Sequence, residues 1–548
     1  MSIGAIHRAG DRDLLIELDS LDSVLALNSA VVANPLNGQQ DVLAAAQTVM
    51  IKFDTPEQAR LAASLLPGLP LGTTDISAGK MVRIPVTYDG EDLDELAKLT
   101  SMSREALIAA HLAQRWTAAF GGFAPGFAYL VGENQRLAVP RRATPRTRVP
   151  AGAVALGGDY CAVYPRQSPG GWQLLGHTDL QLWDVDRDQP ALIRPQDTVE
   201  FTLAASRIRV SGTRETPQAA KQTTPAATVK GLRIVDPGLQ SLLQDAGRHR
   251  RGNLGVPVSG AADISSFHQA NRLVGNPVGT AVIENLTGRL EIQAIADQVM
   301  AVTGAQPELW ITPAPDDEQR SVRQVSPNAP FVLLHGERLR LEPTGHGLRS
   351  YLAVRGVFTV ADTLGSLSTD TLSGLGPEPL AAGQVLGVQP PNRTQVVGAP
   401  EPSTLPIPDA QGVYTLRVIP GPRDDWFGAA GLERLTGQEW SVSSDSNRVG
   451  IRLDTLGLAL ERTRDGELSS EGVARGSLQV PPSGLPVLFL ADHPVTGGYP
   501  VIATLISEDL SAAAQLPVGS KLRFAVVSAH KDLTQSPAFR LIFKDNHA

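Results

Sequence analysis

The chain has 548 residues, enough for three or four domains of about 150 residues each. Apolar residues make up 42% and charged residues 19%, the composition of a folded protein, and a formal net charge of −8 without a basic block argues against a nucleic-acid binder. The 52 glycines and 41 prolines favour turns and short strands, which excludes long coiled coils and helical bundles as the main architecture.

Arg8, Asp11, Arg12 and Asp13 interrupt any leader-like apolar stretch in Met1–Leu15, and no run approaches the ~18 apolar residues of a membrane span. A cytoplasmic protein without a membrane segment is expected. The single cysteine, Cys161, excludes an intrachain disulfide and a cysteine-based metal cluster.

Helical signals are few. Leu93–Leu99 and Arg104–Trp116 are short and amphipathic, with Ser101 or Ser103 as a candidate N-cap for the second. His111 falls on the apolar face of that helix and reads as an interior histidine. Strand-like alternation covers Val199–Phe201 and Arg207–Val210. The stretch Ser211–Lys230, with Val229 its only large aliphatic residue, reads as a linker. Further on, Asp263 caps a helix striped by Ile264, Phe267 and Val274 and ended by Gly275 and Pro277. Asn271 shares its buried face. Strand signals follow at Arg289–Ile292, Arg338–Leu341 and Lys521–Phe524, and the proline-rich Gln389–Gly412 reads as a second linker.

A repeat is visible. VPAGAVAL from Val149, SPGGWQLL from Ser168 and RPQDTVEF from Arg194 return as VARGSLQV from Val473, VTGGYPVI from Val495 and LPVGSKLRF from Leu516. LLHGERLRL, from Leu333, is a fainter copy of the last piece. The same β unit is expected at least twice.

Several enzyme motifs are absent. Gly72–Met81 has the wrong glycine spacing for a phosphate loop, there is no G-x-S-x-G elbow, and no pair of histidines has zinc-site spacing. No amidase or biotin-acceptor signature is present; Met50-Ile51-Lys52 is not one. Gly121–Leu130, GGFAPGFAYL, is distinctive: Phe123, Pro125, Gly126, Phe127 and Tyr129 form a tight turn suited to a planar ligand or anion. Arg141 and Arg146, held by neighbouring prolines, and Arg248 are candidate carboxylate or phosphate ligands. Asp245, Glu471, Asp492 and His493 are candidates for acid–base or magnesium-binding roles. Asn271, Gln479, Thr496, Gly497, Gly498 and Tyr499 complete the candidate binding set.

These motifs together carry a resemblance. Residues 1 to about 210 resemble the B-type subunit of bacterial 5-oxoprolinase, also described as a sporulation-kinase inhibitor and as allophanate hydrolase subunit 1. The carriers include Gly10-Asp11, Asp89–Leu93, His111, the GFAPGFAYL loop, Pro140-Arg141, Arg146, Val149–Gly152 and Ser168–Trp172. Residues 231–540 resemble the C-type subunit, related to the carboxyltransferase part of urea carboxylase, through Gln244-Asp245, Gly247-Arg248, Ser259-Gly260, Asp263, Ala270–Asn276, Glu284-Asn285, Ser366, Ser368-Thr369, Arg448, Ser470–Gly472, Gln479–Pro482 and Thr496–Pro500. The chain looks like a natural fusion of the two.

The resemblance implies a mainly β, α+β protein with about three cyclophilin-like β-barrels and a small N-terminal α/β domain. The implied boundaries are 1–82 for the small domain, 83–210 for the first barrel, 211–230 for a linker, 231–388 for the second barrel, 389–412 for another linker and 413–548 for the third barrel. It also implies an enzyme component that opens the lactam of 5-oxoproline to glutamate by ATP-dependent phosphorylation, with magnesium, without biotin, and with a separate third subunit. A homo-oligomer is compatible with this. Two other readings stay open: a regulator that binds a histidine kinase, and a urea- or allophanate-processing carboxyltransferase-like component.

Overall fold

The computed structural model describes residues 3–71, 79–142, 144, 146–205, 230–317, 319–390, 396–466 and 468–527. The strand signal at Arg207–Val210 and the first expected linker, up to Val229, lie outside the described residues. The chain divides into two compact bodies. A split body contains Met1–Leu71, Gly231–Arg250 and Pro257–Ala548, and an inserted body contains Gly72–Lys230 and Arg251–Val256. The small N-terminal domain therefore belongs to the body that also holds both C-terminal barrels.

In the split body, strands Ile3–Arg8, Asp13–Leu18, Gln39–Ala44 and Thr48–Phe53 form an antiparallel sheet in the order first, second, fourth, third. Helices α1 (Leu21–Ala33) and α2 (Pro56–Leu65) join them. Ser20 caps α1 through the Ser23 N–H. Thr55 and Gln58 form a capping box with Pro56 in the first turn of α2. These helices are additions to the few expected. α1 is apolar and β-branched over much of its surface, so its sequence shows little amphipathic contrast. The sheet's Ala9, Leu15, Leu43 and Met50 bury against Ala474 and Val495 of the last barrel.

The inserted body begins with strand Met81–Val86 and helices α3 (Leu93–Leu99) and α4 (Arg104–Ala113), the latter capped by Ser103. Seven strands follow the order Gln173–His177, Ala153–Gly157, Tyr160–Val163, Ala128–Gly132, Trp116–Gly121, Thr198–Leu203, Met81–Val86. The first and last are joined by a Thr87–His177 bridge, which closes the barrel. The pair Met81–Val86 and Thr198–Leu203 is parallel. His111 is an interior histidine: Tyr88 Oη lies 2.7 Å from its Nδ1, and burial pushes its pKa down to about 3.

The barrel after Gly231 is built from a seven-stranded and a five-stranded sheet around one apolar core. Helix α5 (Ile264–Val274) covers it, capped by Asp263 and ended by left-handed Gly275, as its sequence predicts. The described part of the second expected linker is a docked strap. Glu401 bonds Asn328 through its backbone and pairs with Arg272, and Gln269 donates to the Pro402 carbonyl.

The last barrel is closed by seven strands, Val413–Pro420, Val501–Leu505, Ser477–Gln479, Val487–Phe489, Gly450–Asp454, Trp440–Val442 and Lys521–Val526. It adds helices α6 (Gly428–Gly437) and α7 (Leu510–Ala513). Its first and last strands run parallel, as in the inserted barrel. The repeat is structural. Trp116 and Trp440 each enter a barrel after a helix, bury almost completely and donate an indole N–H to a carbonyl five residues earlier, at 3.4 and 2.9 Å. Gly152 and Gly476 make the same left-handed turn, with φ of 80° and 87°. The fainter copy after Leu333 retains only a left-handed Gly336 before the strand Arg338–Leu341. The expected class, mainly β with cyclophilin-like barrels and a small α/β domain, is the observed one.

Replacing Trp440 by Ala empties a buried aromatic site and orphans the Leu435 carbonyl. A loss of about 3–5 kcal/mol is expected in denaturant unfolding, with a smaller loss for Trp440→Phe.

Candidate functional site

In the inserted body, the expected planar slot is filled by its own rings. Phe127 packs edge-on against Phe123, Tyr129, Tyr164 and Trp172 at centroid distances of 5.1 to 5.6 Å. Phe127, Tyr129 and Trp172 are 2%, 5% and 5% exposed. The backbone is also committed: left-handed Gly126 donates its N–H to Leu254 O at 2.9 Å, and Pro125 is buried. These edge-to-face contacts pack the rings against one another at the barrel mouth.

The arginines beside this mouth divide. Arg146 and Arg142 both reach Asp92 Oδ1 at 2.7 Å, and Arg146 also contacts Glu91 at 3.2 Å. Although burial opposes it, these cations and the Leu174 N–H hold the Asp92 carboxyl below its usual range. Arg141 lies 6.0 Å over the Trp172 ring.

In the last barrel the same place has its charges exchanged. Asp92 donates its N–H to Leu174 O, and Arg423 donates its N–H to Val501 O, at matching positions beside the first strand. Arg146 pairs across its short flap with Gly170, and Glu471 pairs across its flap with Gly497. Asp92–Arg146 is thus replaced by Arg423–Glu471, at 2.6 Å. Burial raises the Glu471 carboxyl despite Arg423. Glu17 of the N-terminal sheet also contacts Arg423.

Other expected ligands are structural in their contacts. Asp245 accepts from Ser366 and Ser368 hydroxyls at 2.7 and 2.6 Å and from the Leu367 and Gly247 amides at 2.7 and 2.8 Å. Its oxygens are occupied in shaping the loop. Arg248 is 1% exposed and donates to the Thr363 and Ser368 carbonyls, while its buried Nη1 has no partner. Asn271 is fully buried and donates to Phe267, Val278 and Thr280 carbonyls. Gln479 donates to Tyr499 O at 3.1 Å. Thr496 and Gly497 form the flap strand, with Gly498 beyond it, and Tyr499 is half-exposed under the Arg462 guanidinium, 5.6 Å away.

Asp492 is the centre of a buried network. It receives Arg448 Nε and Nη2 at 3.0 and 2.9 Å, Ser259 Oγ at 2.7 Å, and the Thr371 amide and hydroxyl at 2.9 and 2.7 Å. Arg448 bonds Glu284 at its other end, and Glu284 takes the Ala262 N–H at 2.9 Å. Burial opposes ionisation of both acids, but Arg448 and these bonds hold them below the ordinary carboxylate range.

His493 follows directly. Its Nδ1 lies 2.8 Å from Pro494 O, so Nδ1 carries the proton and Nε2 is an acceptor. Burial, with Lys52 nearby, lowers its pKa to about 3, so it is a neutral base across ordinary pH. It lines a cavity of about 390 Å³ in the split body together with Asp13, Lys52, Ser259, Arg475 and Thr504. Ser259 is held at a left-handed φ of 57°. The structure brings Asp492 and His493 together beside one cavity, whose lining does not include Asp245, Arg248 or Asn271. Lys52, Asp13 and Arg475 carry no site signal in sequence, because sequence-distant strands bring them together, and Glu284 and Arg448 mark only the family resemblance.

Two family models match. The carboxyltransferase domain, subdomain A and B, covers residues 254–526, and the carboxyltransferase domain, subdomain C and D, covers residues 5–193. The chain is 35% identical over 310 residues to the C-type subunit of 5-oxoprolinase from Escherichia coli (strain K12), spanning 55% of this chain and 93% of that protein. The chain belongs to the family of 5-oxoprolinase C-type subunits. It also carries a part like the B-type subunit: 46% identity over 128 residues to that 5-oxoprolinase component of Haemophilus influenzae, covering 23% of this chain and 60% of that protein. The crystal structure of TTHA0988 aligns with a TM-score of 0.79 and 33% identity over 94% of this chain and 100% of that one. This member of the family thus joins, in one polypeptide, sequences resembling both named subunits. Among the described residues, no helix is long and apolar enough to cross a membrane.

Arg448→Met strands two buried carboxylates, and a loss of about 3–5 kcal/mol is expected in chemical denaturation at neutral pH. In the parent protein, the stability due to Glu284 and Asp492 is complete above their unfolded pKa values of about 4 and falls as pH drops through their lower folded values. Stability measured against pH in Arg448→Met should lose that acid-side fall.

Proposed function

We propose that this chain is the lactam-binding component of an ATP-dependent 5-oxoprolinase, working with a separate third subunit. The observation that carries the reading is the union of sequence like the B-type and C-type subunits with a cavity that sets a neutral His493 beside two cations, Lys52 and Arg475. In the net reaction, lactam, ATP and two waters give glutamate, ADP and phosphate. Phosphorylating the lactam oxygen activates its carbon; one water adds there and the C–N bond breaks with a proton passing to nitrogen, leaving an acyl phosphate, and a second water releases the phosphate. His493 Nε2 accepts a hydrogen bond from the attacking water and orients it, and its Nδ1–H stays fixed on Pro494 O.

The residues expected to take a nucleotide or magnesium are engaged within the protein. The aromatic faces of the inserted body are packed against one another. Asp245 and Asp492 spend their oxygens on hydroxyls, amides and a guanidinium. Among the described residues, no group of three His, Cys, Asp or Glu side chains is arranged to hold a metal. On this reading phosphoryl transfer falls to the third subunit, and this chain binds and orients the lactam and the attacking water.

The test is glutamate formation from 5-oxoproline by this chain, its third subunit and ATP. His493→Gln is expected to lower kcat by about 10²-fold or more with little change in KM. Absence of glutamate with a demonstrably active third subunit would contradict the reading.

A further inference from the structure

The cavity beside His493 holds a second pattern. Lys52 sits directly opposite Asp13 across the sheet and opposite Asp41 on its other side. No ion pair or hydrogen bond engages its ammonium among the described residues. Arg475 spends Nη2 on the Ala261 and Ala262 carbonyls, while its buried Nε has no partner. Thr504 is 1% exposed, and its buried hydroxyl is also unpartnered. Lys52, Arg475 and Thr504 border the same cavity. Buried polar groups without partners are costly, and a cation in a desolvated wall is best satisfied by an anion.

We propose that this cavity is an anion site in which Lys52, Arg475 and Thr504 hold a carboxylate or phosphate group, and that binding is coupled to protonation of Asp13. The proposal rests on the reading above only for one candidate anion, the carboxylate of 5-oxoproline.

Asp13 supplies the coupling. Burial raises its carboxyl to about 6, against Lys52 and Arg12 and together with Asp11 and Asp41. Asp54, His249 and His493 face it from the other walls. An ionised Asp13 repels an incoming anion and a protonated one does not. Affinity should therefore rise as pH falls through about 6, with uptake of a proton on binding. His493 stays neutral over this range. His249 is exposed at the cavity, and the Asp13 variant separates its contribution from that of Asp13.

The experiment is calorimetric titration of the full chain with 5-oxoproline and, separately, with inorganic phosphate, between about pH 5.5 and 8. Lys52→Met should weaken the bound anion by about tenfold or more, while its thermal unfolding stays that of the parent. Asp13→Asn should tighten binding at neutral pH and flatten the pH dependence. Affinity within about twofold of the parent in Lys52→Met, full pH dependence in Asp13→Asn, or no binding of either probe would each overturn the proposal. Phosphate binding that is lost in Lys52→Met, without any binding of 5-oxoproline, would keep the anion site and contradict the lactam reading instead.

Discussion

The Arg448 guanidinium, buried between Glu284 and Asp492, is the contact on which the split body depends. It bonds one acid from the barrel after Gly231 and one from the last barrel, and Gly260 O as well. Taking three charges out of water is costly, and only near-complete hydrogen bonding recovers that cost. The network is accordingly full: Ser259, Thr371 and the Ala262 N–H use the remaining oxygens. Satisfied networks of this kind fix geometry more than they add stability. Here the geometry fixed is that of His493, the residue next to Asp492.

The N-terminal sheet completes the arrangement. Its apolar face packs on Ala474 and Val495, Asp11 caps the turn at Ser507, and Glu17 reaches Arg423. It thereby lays Asp13 and Lys52 along the cavity. The two related barrels place equivalent ion pairs with opposite charge order, Asp92 with Arg146 and Arg423 with Glu471. In the inserted barrel Arg142 supplies the third charge, and in the last barrel Glu17 does. One repeated scaffold has thus been completed locally in one copy and by a separate sheet in the other.

Much of this was legible in sequence where the signal is local. Ser103, Asp263 and Gly275 mark helix ends, and the paired glycine turns mark the repeat. The two family resemblances and the mainly β class follow from such motifs. The site was legible only in part. Asp492 and His493 stand out on a loop, but Lys52 enters only in a triplet that is not a biotin acceptor, and Asp13 only as a break in an apolar run. Arg248 and Asn271 look like ligands because polar residues on loops and helices do, and only burial shows them bonded to carbonyls. The rings of Gly121–Leu130 announce an aromatic site, but sequence does not say whether they face a ligand or one another.

The central claim is that the lactam is held in the split body, beside His493, and not at the aromatic mouth of the inserted body. Backbone hydrogen exchange of the full chain with and without saturating 5-oxoproline tests it most directly. The account predicts added protection in Asp13–Leu18, Thr48–Phe53 and the loop around Asp492 and His493. Protection confined to Gly121–Leu130 and Ser168–Trp172 would contradict it.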